Sequence, residues 1–304
     1  MANPRPKLRY LDPDILQRIA PLDLAAREVV EGVRVGIHKS PLHGFSTEFA
    51  QHRQYVPGDN LRHLDWRVYG RTQRYYVKLY EAETNFTCYL LLDASSSMRY
   101  GSSKLSKLEY AKYMAASLAY LAVEQRDSAG LGVFDSALRR YVEPKGSMSV
   151  VRTIAQELEK VPGQERTDVA GILHEFARRI PRRGFVMLFS DLFDHVEEFL
   201  KGLEHLRFRG HNVTVFHTLD PYELSFPFQG TWKFKGLEME PEIATQPKRV
   251  RQAYLQELRK FIRQIRTACE RSHIDYCLVN TGKPIDAVLT GYLAGRVRTM
   301  VKNV

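Results

Sequence analysis

The segment FTCYLLLDASSSM, residues 86–98, decides the fold. Its first eight residues are a nearly continuous apolar run ending on a carboxylate, as a strand buried on both faces should be. Outward from it the texture repeats. SAGLGVFD (128–135), GFVMLFSD (184–191), NVTVFHTL (212–219) and IDYCLVN (274–280) are further short runs of this kind. Helical periodicity fills the intervals, at 105–125, 149–160, 169–180, 196–209, 247–271 and 285–296. LRRYVEP (138–144) reads as a hairpin partner of 128–135. Strands alternating with helices of this length imply a parallel sheet with helices on both faces.

Upstream the pattern is different. Residues 12–31 carry a helical apolar side through Leu16, Ile19, Leu22, Leu24, Val29 and Val30. Residues 44–83 hold many aromatics and arginines, with turn signals at Pro57-Gly58-Asp59 and Gly70 and a strand-like run at 75–80. The chain therefore divides into an N-terminal helix with an irregular β extension, 1–84, and an α/β domain, 85–304. The apolar residues of the first part are too few and too irregularly spaced for a separate core. It is expected to pack on the later sheet and to extend it through residues 75–80.

Composition sets the outer bounds. The chain has 304 residues, 44% hydrophobic and 26% charged, which excludes collagenous, low-complexity and wholly disordered classes. The cysteines, Cys88, Cys269 and Cys277, are odd in number and none forms C-x-x-C, which argues against a disulfide framework or a thiolate zinc site. A reducing, cytoplasmic location fits. MANPRPKLRYLDPDI lacks the apolar core of a signal peptide. The most apolar helical stretch, 111–123, falls short of the roughly 20 residues a bilayer needs, so no direct membrane insertion is expected.

The net charge is +10, and residues 241–304 hold 12 Lys and Arg against 5 Asp and Glu. Much of this excess lies on 248–266. There Val250, Tyr254, Leu258, Phe261, Ile262 and Ile265 recur at helical steps, and Arg251, Arg259, Arg263 and Arg266 fall largely outside that face. Such a face is either a patch for nucleic acid or an acidic partner surface, or simply solvated, and charge patterning favours the solvated face. No nucleic-acid signature accompanies it, so no specific nucleic-acid partner is expected.

The chemistry concentrates in LLDASSSM. Asp93, Ser95 and Ser97 form D-x-S-x-S at the carboxyl end of a buried strand, where open α/β sheets bind ligands. Hydroxyl and carboxylate oxygens are hard ligands suited to Mg²⁺. Asp191 ends another buried strand, and Thr167 precedes the helix before that strand. The plainer alternative is a serine turn that caps the next helix. Other chemistries lack their residues. Gly130-x-Gly132 has no third glycine, 101–104 lacks the Walker spacing, and no G-x-S-x-G elbow is present. His43, His52 and His63 are too far apart for a compact zinc-ligand pair. The enzymatic alternative is metal-dependent phosphoryl transfer on the same sheet. A nucleophilic Asp93 would want a second carboxylate two residues on, but position 95 is serine.

Asp93-x-Ser95-x-Ser97, Thr167 and Asp191 together resemble the metal-ion-dependent adhesion site of von Willebrand factor type A domains. That resemblance implies Mg²⁺ or Mn²⁺ held directly by the two serines and the threonine, and mostly through water by the two aspartates. It also implies an open position for a partner's acidic residue. Arg166 stands where those domains usually carry glycine.

A narrower resemblance covers nearly the whole chain. Glu48-Phe49, Arg53-x-Tyr55-x-Pro57-Gly58-Asp59, Arg62, Leu64-Asp65-Trp66, DPYELSFPF at 220–228 and Leu237-Glu238 are similar to the bacterial family called domain of unknown function 58. It implies a von Willebrand factor A-like fold and a MoxR-type AAA+ ATPase as partner, in assembly or metal loading of other complexes. Read as residues, the 43–83 segment is either a docking surface or a network in which Glu48, Asp59 and Asp65 pair with Arg53, Arg62 and Arg67 around aromatic bulk.

Overall fold

The structure is a computed structural model, described here for residues 9–19, 49–56, 64–80, 86–161, 169–180, 183–193, 196–229, 232–234, 243–245 and 247–301. The chain forms two compact units, one gathering Met1–Val33 with Phe86–Val304 and the other Arg34–Asn85.

The larger unit is a mixed α/β fold around a six-stranded sheet. The strands are β3 (Thr87–Asp93), β4 (Ser128–Phe134), β5 (Leu138–Lys145), β6 (Phe185–Ser190), β7 (Asn212–Leu219) and β10 (Asp275–Asn280). Their order is β10-β7-β6-β3-β4-β5, parallel except for the β4–β5 hairpin. β3 lies inside the sheet between β6 and β4, and every residue of it is buried. The alternation of this strand divides its side chains between two cores, one on each face. Leu90 and Leu92 join Met114, Ala115 and Leu118 of α3 (Lys107–Glu124), while Tyr89 and Leu91 join Phe176 of α5 (Val169–Arg179) and Leu203 of α6 (Val196–Phe208). Continuous apolarity was therefore the right signature of a two-sided burial.

Gly130 and Gly132 owe their identity to packing. A Cβ would stand 2.8 Å from the Pro144 ring at Gly130 and 2.8 Å from Leu91 at Gly132. The remaining helices are α4 (Met148–Glu159), the short α7 (Pro221–Ser225), α8 (Pro247–Arg271) and α9 (Ile285–Val301). On α8, Leu258, Ile265 and Cys269 are buried while Arg251, Arg259, Arg263 and Arg266 are exposed, the expected division. Two of these arginines have local work: Arg251 donates to the carbonyls of Phe226 and Ser225, and Arg266 lies over the Tyr276 ring. A small β8–β9 ladder (Trp232–Phe234, Ile243–Thr245) precedes α8.

The described part of the first helix is α1 (Pro13–Ile19), and it packs on α9 and α3. Just before it, the buried Tyr10 hydroxyl meets Glu109, whose carboxylate also pairs with Lys112.

The smaller unit corrects one expectation. Residues 75–80 do form a strand, β2 (Tyr76–Tyr80), but it pairs antiparallel with β1 (Phe49–Gln54) in a two-stranded sheet of its own. It does not extend the six-stranded sheet. The reason is that β1, FAQHRQ, supplies the ladder partner despite having no apolar run. α2 (Trp66–Thr72) follows, N-capped by Asp65, which accepts from the N–H groups of Arg67 and Val68 and meets His52 Nε2 at 2.9 Å. Trp66, expected as apolar bulk, is 63% exposed, because α2 buries none of its residues. His43, Glu48, Asp59, Arg62, His63 and Leu237-Glu238 lie outside the described residues, as does helix 12–31 beyond Ile19.

Candidate functional site

β3 and β6 run side by side, and their carboxyl ends deliver Asp93 and Asp191 to one end of the sheet. On the β3 side the chain turns at once. Ser95 N–H donates to Asp93 Oδ1 at 2.9 Å, an Asx turn that folds the serine loop back over the strand end. A 3₁₀ turn at Ser97–Arg99 follows, and the Ser95 and Ser97 hydroxyls lie 3.0 Å apart. Asp93 Oδ2 accepts from the Ser190 hydroxyl at 2.6 Å, so the last residue of β6 fastens the two strand ends together. Asp93 is buried. Burial and, after it, the charge of Asp191 push its carboxyl up to about 7, against the hydrogen bonds from Ser190 and Ser95.

On the β6 side the backbone takes an unusual course. Leu192 adopts φ +59, the left-handed region that disfavours a branched side chain. Ser190 Oγ accepts from Leu192 N–H, and His217 Nε2 meets the Asp191 carbonyl at 2.9 Å. A carbonyl only accepts, so Nε2 carries the proton and Nδ1 accepts from the Tyr276 hydroxyl, 2.7 Å away. Burial, followed by the charge of nearby Lys107 and against Asp191, holds His217 down at about 4.

The Asp191 carboxylate faces a cation. Lys107 Nζ donates to Asp191 Oδ2 at 2.7 Å and to Glu223 Oε1 at 2.6 Å. The lysine is 1% exposed. Burial works against its charge, but Asp191 and then Glu223 outweigh it, and its affinity for the proton is raised. Glu223 belongs to α7, where Asp220 and Glu223 form a reciprocal capping box, and Asp220 also accepts from Ser102.

Thus four of the five residues singled out in the sequence lie at or beside one strand end: Asp93, Ser95 and Ser97 in direct contact, and Asp191 joined to them through Ser190. Thr167 lies outside the described residues. Lys107, Glu223, Ser190 and His217 were missed. One signal was present for Lys107, a cation in the first turn of an apolar helix, where the dipole disfavours it. Glu223 was visible in DPYE as a capping box.

The donor set fits a hard divalent cation in part. Asp93 and the two hydroxyls are suitable oxygens. Asp191, by contrast, is already compensated by Lys107. Among the described residues no group of three or more His, Cys, Asp or Glu gathers as a metal site, so a metal here would depend on hydroxyls.

The fold and site define an α/β protein with a polar, hydroxyl-bearing strand-end site. The family model described as "Protein of unknown function DUF58" matches residues 51–262, and the chain belongs to that family. Uncharacterized proteins of Mycobacterium bovis and Mycobacterium tuberculosis are 26% identical over 223 residues, covering 72% of this chain and 69% of theirs. Among solved structures, an aerotolerance-related membrane protein from Bacteroides fragilis is similar at 18% identity, over 71% of this chain and all of that one, with a TM-score of 0.49. The conserved hypothetical protein BatB from Bacteroides thetaiotaomicron matches at 18% identity, over 72% of this chain and all of that one, with a TM-score of 0.48. Among the described residues no helix is long and apolar enough to cross a membrane.

Proposed function

We propose that the chain is a non-enzymatic protein-interaction module of von Willebrand factor A type. It captures an acidic group of a partner at the carboxyl ends of β3 and β6, bridged by Mg²⁺ or Mn²⁺. Asp93, Ser95 and Ser97 are the proposed core of the metal set, with Thr167 and Asp191 completing it. The observation that carries the reading is the preset serine loop. Ser95 and Ser97 present two neutral hydroxyls 3.0 Å apart, beside a buried carboxylate whose two oxygens are held by Ser95 N–H and Ser190. Neutral hydroxyls leave charge on the metal uncompensated, which favours an incoming carboxylate. A net charge of +10 favours approach of an acidic partner.

The proposed partner is a MoxR-type AAA+ ATPase, acting in assembly or maturation of a complex. Co-purification with that ATPase from the same genome tests this. Complex formation is expected in Mg²⁺, and loss in chelator and in Asp93→Ala. A complex indifferent to both would overturn the metal-bridged reading.

One observation favours a second reading. Asp93 is a buried strand-end carboxyl beside two serine hydroxyls, and burial with the charge of Asp191 raises its affinity for the proton, as an acid or base in phosphoryl transfer would need. Hydrolysis of p-nitrophenyl phosphate with Mg²⁺, lost in Asp93→Ala, would replace the binding role with an enzymatic one.

A further inference from the structure

Lys107 opens α3 and is buried, yet helix formation gives no reason for a cation there. Two carboxylates from separate elements, Asp191 just past β6 and Glu223 on α7, receive it at charge-assisted distances of 2.7 Å and 2.6 Å. Its ammonium also lies 5.1 Å from the centre of the Phe193 ring. This is a built seat for one positive charge. One of its two walls is a residue of the proposed metal set.

We infer that Lys107 is a tethered cation that competes with the divalent metal for Asp191, and thereby sets how weakly the strand-end site holds metal. The inference rests on the metal reading above and gives its regulation. While the ammonium holds Asp191, the charge of that carboxylate is already met, and a second cation nearby encounters repulsion. A metal that draws on Asp191 takes it from Lys107 and leaves the ammonium on Glu223. Glu223 is fixed for that duty, since its other oxygen accepts from Asp220 N–H at 2.7 Å. The competition is between two cations for one carboxylate, and no covalent bond changes.

Calorimetric titration of the full chain with Mn²⁺ tests this. Lys107→Met should bind at least tenfold more tightly than wild type, and adding Asp93→Ala to it should abolish the binding. Glu223→Gln should bind at least threefold more weakly than wild type, because the displaced ammonium loses its second seat. Wild-type binding that Lys107→Met leaves equal or weakens would overturn the competition while the metal reading stands. Absence of Mn²⁺ binding in both wild type and Lys107→Met would overturn both. Should Lys107→Met fail to fold, Glu223→Gln decides, and unchanged or tighter binding by it would overturn the inference.

Discussion

At the end of β3 the buried carboxylate of Asp93 is surrounded by neutral donors, Ser95 N–H and the Ser190 hydroxyl. At the end of β6, one strand over, the carboxylate of Asp191 is met by an ammonium. The first arrangement leaves Asp93 pushed up to about 7, with burial opposing its charge. The second supplies a counter-ion from inside the protein. Two aspartates at the ends of neighbouring strands, Asp93 closing β3 and Asp191 just past β6, thus have different electrostatic tasks. The β3 side has charge it can offer to something outside, whereas the β6 side is balanced internally.

The largest break in this comparison comes from removing the internal cation. Lys107→Met leaves the buried Asp191 and the half-buried Glu223 without it, and chemical denaturation should record a loss of about 3–5 kcal/mol. A loss under about 1 kcal/mol would mean that the β6 side is not balanced by Lys107. Removing the tie between the two sides costs less. Ser190→Ala deletes a donor to Asp93 and an acceptor for Leu192 N–H, at about 2 kcal/mol. Because the Ser190 bond favours the charged form, the variant should also move the Asp93 carboxyl further up, which carboxyl ¹³C shifts would register.

Acid sharpens the comparison. Burial holds His217, and burial with Arg209 and Arg183 holds His211, down at about 4, from 6.5. Between pH 6.5 and 4 the unfolded chain takes up protons that these rings refuse, so their stabilisation is complete above 6.5 and lost as pH falls through that window. Asp93 acts in the opposite direction. The native state binds its proton between pH 7 and 3.8, so its share of stability improves on acidification. Two rings set against one carboxyl leave a net loss of stability by pH 4. Asp93→Asn should make that loss steeper, and denaturation midpoints across the window read it directly. A shallower loss in the variant would contradict the raised Asp93.

The smallest stability effect belongs to the serine loop. Ser97 is half-buried and its hydroxyl meets Ser95, so Ser97→Ala should stay within about 0.5 kcal/mol of wild type in stability. Mn²⁺ binding should nevertheless fall on the order of tenfold, for the loss of one proposed direct ligand. A thermal scan and a titration of the same sample separate the two.

These contrasts also explain what could be read in the residues. β3, the β4–β5 hairpin and the helices were legible because apolar runs and helical periodicity report burial directly, residue by residue. Asp93, Ser95, Ser97 and Asp191 were legible because strand ends follow from strand positions. The pairing of β2 was not, since FAQHRQ has no apolar run to mark it as a ladder partner. Lys107 and Glu223 are 116 residues apart and meet only when α3 and α7 are placed by the sheet. His217 looks like any strand residue until its ring reaches the Asp191 carbonyl. Local pattern reported local burial, and the charge balance arose from tertiary pairing.

The central claim is that Asp93 and its serine loop hold a divalent ion. Titration calorimetry with Mn²⁺ at pH 8, above the raised Asp93 carboxyl, tests it on wild type and Asp93→Ala. The account predicts weak, saturable binding at a single site in wild type and none in the variant. Equal heats from both proteins would contradict it and leave 93–97 as a helix-capping turn.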